Sequence, residues 1–150
     1  MRTEKPQFKP CALGEIAIRC TVMAEMVRFY EDIVGLERSG GEPDSTLTFF
    51  RIDEGFGGHT ATLALFDAET SARPREEHSG PLAGPGSSLH HIAPSLPFSE
   101  QDTVMRWYDS LNQPCTVEDF SWVGWPRIFT HDPEGNTVKM VAYDASLLDA

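Results

Sequence analysis

The chain has 150 residues, 40% hydrophobic and 10% aromatic, enough for one globular unit with a real core. Twelve basic residues against 23 acidic give a formal net charge of −11, which argues against nucleic acid or an anionic membrane as partner. No apolar run approaches the roughly 20 residues that span a bilayer, and the start Met-Arg-Thr-Glu-Lys-Pro-Gln lacks the apolar core of a signal peptide.

Residues 1–11 read as a polar arm. Residues 13–20 form a strand with Ile16 and Ile18 on one face and Glu15, Ala17 and Arg19 on the other. Over 23–34, Met23, Met26, Val27, Tyr30 and Val34 recur at helical spacing, and Gly35 stops the helix. Strands follow around Leu36, over 46–52 and over 60–66, with Gly55, Gly57 and Gly58 marking a turn. Residues 67–87 carry three prolines and three glycines without periodicity and read as a linker. Then the order begins again. A strand is expected over 89–95, and a helix from Ser99, its expected cap with Asp102 at the reciprocal position, to about Leu111. Strands are expected over 116–120, 127–130 and 138–143. Cys11, Cys20 and Cys115 are few and odd in number, as reduced thiols of a cytoplasmic protein are, and there is no Cys-x-x-Cys or His-x-x-x-His to hold a metal locally.

Two features carry a family resemblance. The first is Asp132-Pro133-Glu134-Gly135-Asn136, a turn in which Asp132 accepts local hydrogen bonds, Pro133 fixes φ and Gly135 takes the left-handed conformation, followed by a strand whose side chains alternate. The second is an internal repeat. Leu13-Gly14-Glu15-Ile16-Ala17 matches Leu89-His90-His91-Ile92-Ala93 at an offset of 76, and Phe29-Tyr30-Glu31-Asp32-Ile33 matches Trp107-Tyr108-Asp109-Ser110-Leu111 at 78. Each half reads β-α-β-β-β, with one helix able to cover only one face of its sheet. The chain therefore resembles the vicinal oxygen chelate superfamily, which includes glyoxalase I, bleomycin-binding proteins, fosfomycin-resistance enzymes and extradiol dioxygenases. The resemblance implies an α+β fold. Two βαβββ modules, 12–66 and 88–144, form a cup-shaped, mostly antiparallel sheet with the helices on its outer face and the chemistry inside. Ile16, Ile18, Ile92, Val138 and Met140 are expected beneath the helices.

Metal enzymes of that superfamily take ligands from the first and fourth strands of each half. Carried over, those positions are Glu15, Ala64, His91 and Lys139. Glu15 and His91 suit a divalent ion, and they are the fallback ligands; Ala64 has no donor atom, and a Lys ammonium has no lone pair and repels a cation. The expected cofactor set is thus empty, the low-ranked alternative being a metal-dependent glyoxalase or dioxygenase in which His90, His59 or His131 completes the site. His90 is expected to face away from His91 on a regular strand. In place of an ion, Lys139 can polarise a carbonyl while Glu15 and His91 carry protons; an ion pair between Glu15 and Lys139 across the cup explains the same residues without catalysis. Phe66, Trp122, Trp125, Arg127 and Tyr143 are candidates for the cup wall. Two functions follow: a metal-independent isomerase or lyase acting beside a carbonyl, and a non-catalytic protein that sequesters a ligand or drug. The expected partners are a small molecule and a second copy in a homodimer.

Overall fold

The computed structural model describes residues 6–7, 10–42, 45–68, 89–120 and 125–142, with backbone alone at 119–120 and 125–126. The first half runs β1 (Glu15–Cys20), α1 (Met23–Arg28) continuing into a π-helical turn (Phe29–Ile33), β2 (Glu37–Gly40), β3 (Leu47–Phe56) and β4 (His59–Asp67). The second runs β5 (His91–Ile92), a 3₁₀ turn (Phe98–Glu100) leading into α2 (Gln101–Ser110), β6 (Thr116–Phe120), β7 (Trp125–His131) and β8 (Thr137–Val141). Each half makes a four-stranded mixed sheet, in the orders β1-β4-β3-β2 and β5-β8-β7-β6. In both, the first and fourth strands pair parallel and the other neighbours antiparallel. The βαβββ repeat expected from sequence is the fold. Most of the expected linker over 67–87, from residue 69 onward, lies outside the described residues.

The period-two pattern sorts side chains as expected. On the helix side, Ile18, Cys20, Phe50, Leu63, Leu65, Ile92 and Val138 join Met26, Val27, Phe29 and Tyr30 of α1 and its π turn in one buried cluster. Tyr108 of α2, Ile128 and Met140 form a second, against which Ile33, Val34, Leu96 and Val104 pack. Ile16 is only partly buried. The first cluster contains residues of both halves, so the two modules share a core within one chain.

Polar groups also cross between the halves. Glu134, in the β7–β8 turn, accepts from the backbone N–H of Thr21 and Val22 and from the Thr21 hydroxyl, placing a carboxylate at the start of α1 where four N–H groups lack helical partners. Tyr30 donates to Asp132 Oδ2 at 2.8 Å, and Trp107 Nε1 donates to the Ile33 carbonyl at 3.0 Å. The turn is built as its residues require. Gly135 has φ 91° and its N–H donates to the Asp132 carbonyl at 2.9 Å. Asp132, 4% exposed, accepts from Glu134 N at 3.0 Å, Asn136 N at 2.9 Å and Asn136 Nδ2 at 2.8 Å.

Three local expectations are corrected. The helix over 23–34 widens into a π turn, with Val34 N–H donating to the Phe29 carbonyl at 3.0 Å; the extra residue per turn lets neighbouring Phe29 and Tyr30 both face the core, their rings edge-on at 5.0 Å. Ser99 does not cap α2. Pro97 starts a 3₁₀ turn whose first bond, from Glu100 N–H to the Pro97 carbonyl, uses backbone alone. The strand expected over 89–95 pairs only at His91 and Ile92, plus a bridge from Ser95 to Val141, because Pro94 lacks the N–H that would continue the ladder.

Candidate functional site

The faces turned away from the helices carry the candidate residues. In the first sheet Glu15, Ala17 and Arg19 alternate away from the core, and the pairings Glu15 with Thr62, Ala17 with Ala64 and Arg19 with Phe66 bring the β4 residues onto the same face. In the second sheet His91 pairs with Thr137, and Lys139 pairs with Phe129. Ala64 lies two residues beyond the partner of Glu15, and Lys139 two residues beyond the partner of His91. The two registers therefore make Ala64 and Lys139 equivalent positions of the repeat, as the sequence alignment places them.

The edge strands β1 and β5 meet at a cavity of about 620 Å³. Glu15 and His91 both line it, with Asp53, Leu13 and Ile52 among the other lining residues. Lys139 is one strand further in. It is 7% exposed, and its ammonium sits 4.7 Å from the centre of the Phe129 ring. Burial first, and then the Arg127 guanidinium, pull the Lys139 amine below its ordinary range, while Glu118 opposes them. Burial first, and then Lys139, His90 and Arg127, hold His91 below the usual imidazole value, which favours its neutral form. The structure thus brings Glu15 to His91 across one cavity and His91 to Lys139 through charge. It does not join Glu15 to Lys139: no ion pair or hydrogen bond links them among the described residues, which removes the ion pair as the explanation of Lys139.

Of the wall candidates, Phe66 is half-buried on the same face, and half-buried Arg127 lies beside Lys139. Trp122 and Tyr143 lie outside the described residues, as does the side chain of Trp125. His90 is placed differently from expectation. Its Nδ1 lies 2.8 Å from Nδ1 of His91, the rings 5.0 Å apart and nearly perpendicular. Strand alternation does not govern it because β5 begins only at His91. One ring donates and the other accepts, according to their tautomers. Asp53 and Glu118 were missed in the sequence. Asp53 sits at a register break between β3 and β4, and Glu118 is recognisable only once β6 is paired opposite Arg127.

A divalent ion at the superfamily's ligand positions needs about three protein donors. Ala64 is fully buried and offers no donor, and Lys139 presents a cation. Among the described residues no three His, Cys, Asp or Glu side chains come together where they could hold an ion. The residues present do not fit the metal.

Comparison with known proteins agrees with this geometry. The family model of the Glyoxalase/Bleomycin resistance protein/Dioxygenase superfamily matches residues 12–140. Among solved structures, lactoylglutathione lyase from Agrobacterium tumefaciens superposes with a TM-score of 0.65 at 22% identity, covering 89% of this chain and 94% of its own. The fosfomycin resistance protein FosX from Listeria monocytogenes gives 0.60 at 15% identity, covering 93% and 98%. A glyoxalase/bleomycin resistance protein/dioxygenase from Nocardioides gives 0.61 at 18% identity, covering 93% and 87%. Comparison with curated protein sequences gives no match. These likenesses show the fold, and the family model shows the lineage: the chain belongs to the Glyoxalase/Bleomycin resistance protein/Dioxygenase superfamily.

Proposed function

We propose that the protein binds a small carbonyl compound in the cup and acts, without a metal, on the bond beside that carbonyl as an isomerase or lyase. The observation that carries this reading is the placement of Glu15 and His91 on one cavity with Lys139 beside His91. A neutral imidazole is a base at pH 7 and can take the proton next to a carbonyl. The positive charge of Lys139, in a water-poor position, offsets the negative charge that then develops on the carbonyl oxygen, as a metal would elsewhere. Glu15, across the cavity, is the second proton carrier.

The test is solvent exchange. Protein purified without chelator is incubated in D₂O with a panel of small aldehydes, ketones and 2-oxo acids, and loss of the proton beside the carbonyl is followed by NMR. Protein-dependent exchange that survives EDTA and disappears in His91→Gln supports the reading. Saturable binding without exchange supports the runner-up, a sequestering protein, which draws on the apolar cavity wall. The homodimer is a separate proposal; light scattering that finds only a 16.7 kDa species counts against it.

A further inference from the structure

Among the described residues that line the cavity between β1 and β5, Glu15 and Asp53 are carboxylates, and no lysine or arginine is present. The cavity holds about 620 Å³, within the range that takes a drug-sized molecule and well beyond what a three-carbon aldehyde fills. We infer that the substrate is a carbonyl compound that also bears an ammonium group on an apolar body, and that Asp53, with Glu15, selects it by that charge. The inference rests on the proposed carbonyl chemistry and names the class of compound on which it acts.

The backbone builds this wall. Asp53 lies where the β3–β4 register breaks: Arg51 pairs with Thr62 and Asp53 with Ala61, so two steps along β3 match one along β4. On a regular strand the consecutive Ile52 and Asp53 face opposite sides; the extra residue of the bulge lets both border one cavity. Glu15 pairs with Thr62 from the other side of β4, so that strand stands between the two carboxylates. Neither carboxylate makes an ion pair among the described residues, and the bond that Asp53 accepts from the Glu54 N–H at 2.7 Å leaves its charge in place. Leu13, 73% exposed, and Ile52, 39% exposed, border the same cavity. Two acids alone make a solvated face; two acids beside large apolar residues in a concave wall suit a cation with an apolar body.

Against an ammonium stand Lys139 and Arg127, whose charges reach His91. Neither lines the cavity, and both belong to the second sheet, as His91 does. The two carboxylates belong to the first sheet. The compound therefore lies across the seam, its carbonyl toward His91 and its ammonium toward Asp53. Glu15 and Asp53 are exposed, so solvent screens them. An ammonium beside them gains a few-fold in affinity and a carboxylate loses as much, so compounds of opposite charge should differ by about tenfold.

Three ketones with one skeleton test the charge. At pH 7, 4-(aminomethyl)acetophenone is a cation, 4-(hydroxymethyl)acetophenone is neutral and 4-acetylbenzoate is an anion, and each has methyl protons beside its carbonyl. Binding to the wild-type protein is measured by calorimetry. The ammonium ketone should bind about tenfold more tightly than the carboxylate, with the alcohol between them, and the gap should narrow in high salt. Asp53→Asn, a change of charge at an exposed position, should cut that ratio about threefold and leave the affinity for the alcohol unchanged. A carboxylate bound as tightly as the ammonium, a ratio that Asp53→Asn leaves untouched, or no binding of any of the three at millimolar concentration overturns the inference. The outcome for the parent reading is separable. Preference for the ammonium with no exchange of methyl protons in D₂O keeps the charge selection and removes the proton-transfer reading. Exchange of the carboxylate's methyl protons alone keeps the carbonyl chemistry and overturns the charge selection.

Discussion

Tyr30 and Tyr108 occupy the same position in the two halves of the repeat, yet removing their hydroxyls should have opposite effects on stability. Both side chains are fully buried. Tyr30 donates to Asp132 at 2.8 Å, and burial with the adjacent carboxylate drives its phenol far above the ordinary value. Among the described residues the buried Tyr108 hydroxyl has no hydrogen-bond partner, and burial, with a smaller effect of Cys115, pushes it up to about 12. A hydrogen bond to a charged group contributes roughly 1.5–3 kcal/mol net, and a stranded buried polar group costs roughly 1–3 kcal/mol. In Tyr30→Phe the Asp132 carboxylate keeps Asn136 Nδ2 and two backbone N–H groups, so it is not stranded and the loss should sit at the low end, about 1.5–2 kcal/mol. In Tyr108→Phe a desolvated oxygen disappears and no bond is lost, so the protein should gain about 1 kcal/mol or stay level. Urea unfolding of both variants, with unchanged slope, reads the difference. Equal destabilisation by the two substitutions, or a larger loss from Tyr108→Phe, would refute the assignment of the two hydroxyls.

Three more expectations follow from the site and core. The Cys20 thiol is buried and its pKa is pushed up to about 12, first by burial and then by Glu134, whereas Cys11 and Cys115 are exposed; a disulfide reagent at pH 8 should titrate Cys11 and Cys115 in the native protein and Cys20 only after unfolding. His91 holds its proton less tightly than free imidazole at 6.5, so exchange activity that uses it as base should lose its acid limb with a midpoint below that pH; a midpoint above it would show His91 protonated in the working enzyme. Lys139→Glu replaces a cation with a carboxylate beside His91 and should introduce zinc affinity measurable by calorimetry, using Glu15 and His91 as the other donors; no binding at millimolar zinc would show that the three positions do not converge.

The repeat was readable because two periodicities, 2 in strands and 3.6 in the helices, recur in the same order with small offsets, and because Asp132, Pro133 and Gly135 leave one turn geometry open. Those signals are local. What escaped was set by packing across the chain. Nothing near Phe29 announces a π turn, which exists because two adjacent aromatic rings both find core space. Ser99 has capping chemistry, but Pro97 starts the turn earlier and backbone bonds suffice. Alternation turns His90 away from His91, but it fails one residue outside a two-residue strand. The candidate site was legible as three positions of a repeat, since Glu15, His91 and Lys139 all follow from strand parity. Their mutual relations were not legible, because the seam between β1 and β5 depends on how two sheets meet. Glu118 and Asp53 likewise become visible only when β6 and β3 are paired.

The unequal tyrosines bear on the history of the chain and on its redesign. The second half lends its Asp132 turn to the helix of the first, while the matching turn of the first half, Phe56 to His59, has glycines at 57 and 58, stays exposed and returns no acceptor to Tyr108. An ancestor made of two identical copies would have exchanged that acceptor both ways. The present protein keeps half of the exchange, so its halves are no longer interchangeable parts. A tandem of two second halves would restore the reciprocal bond, and a tandem of two first halves would leave both phenols stranded.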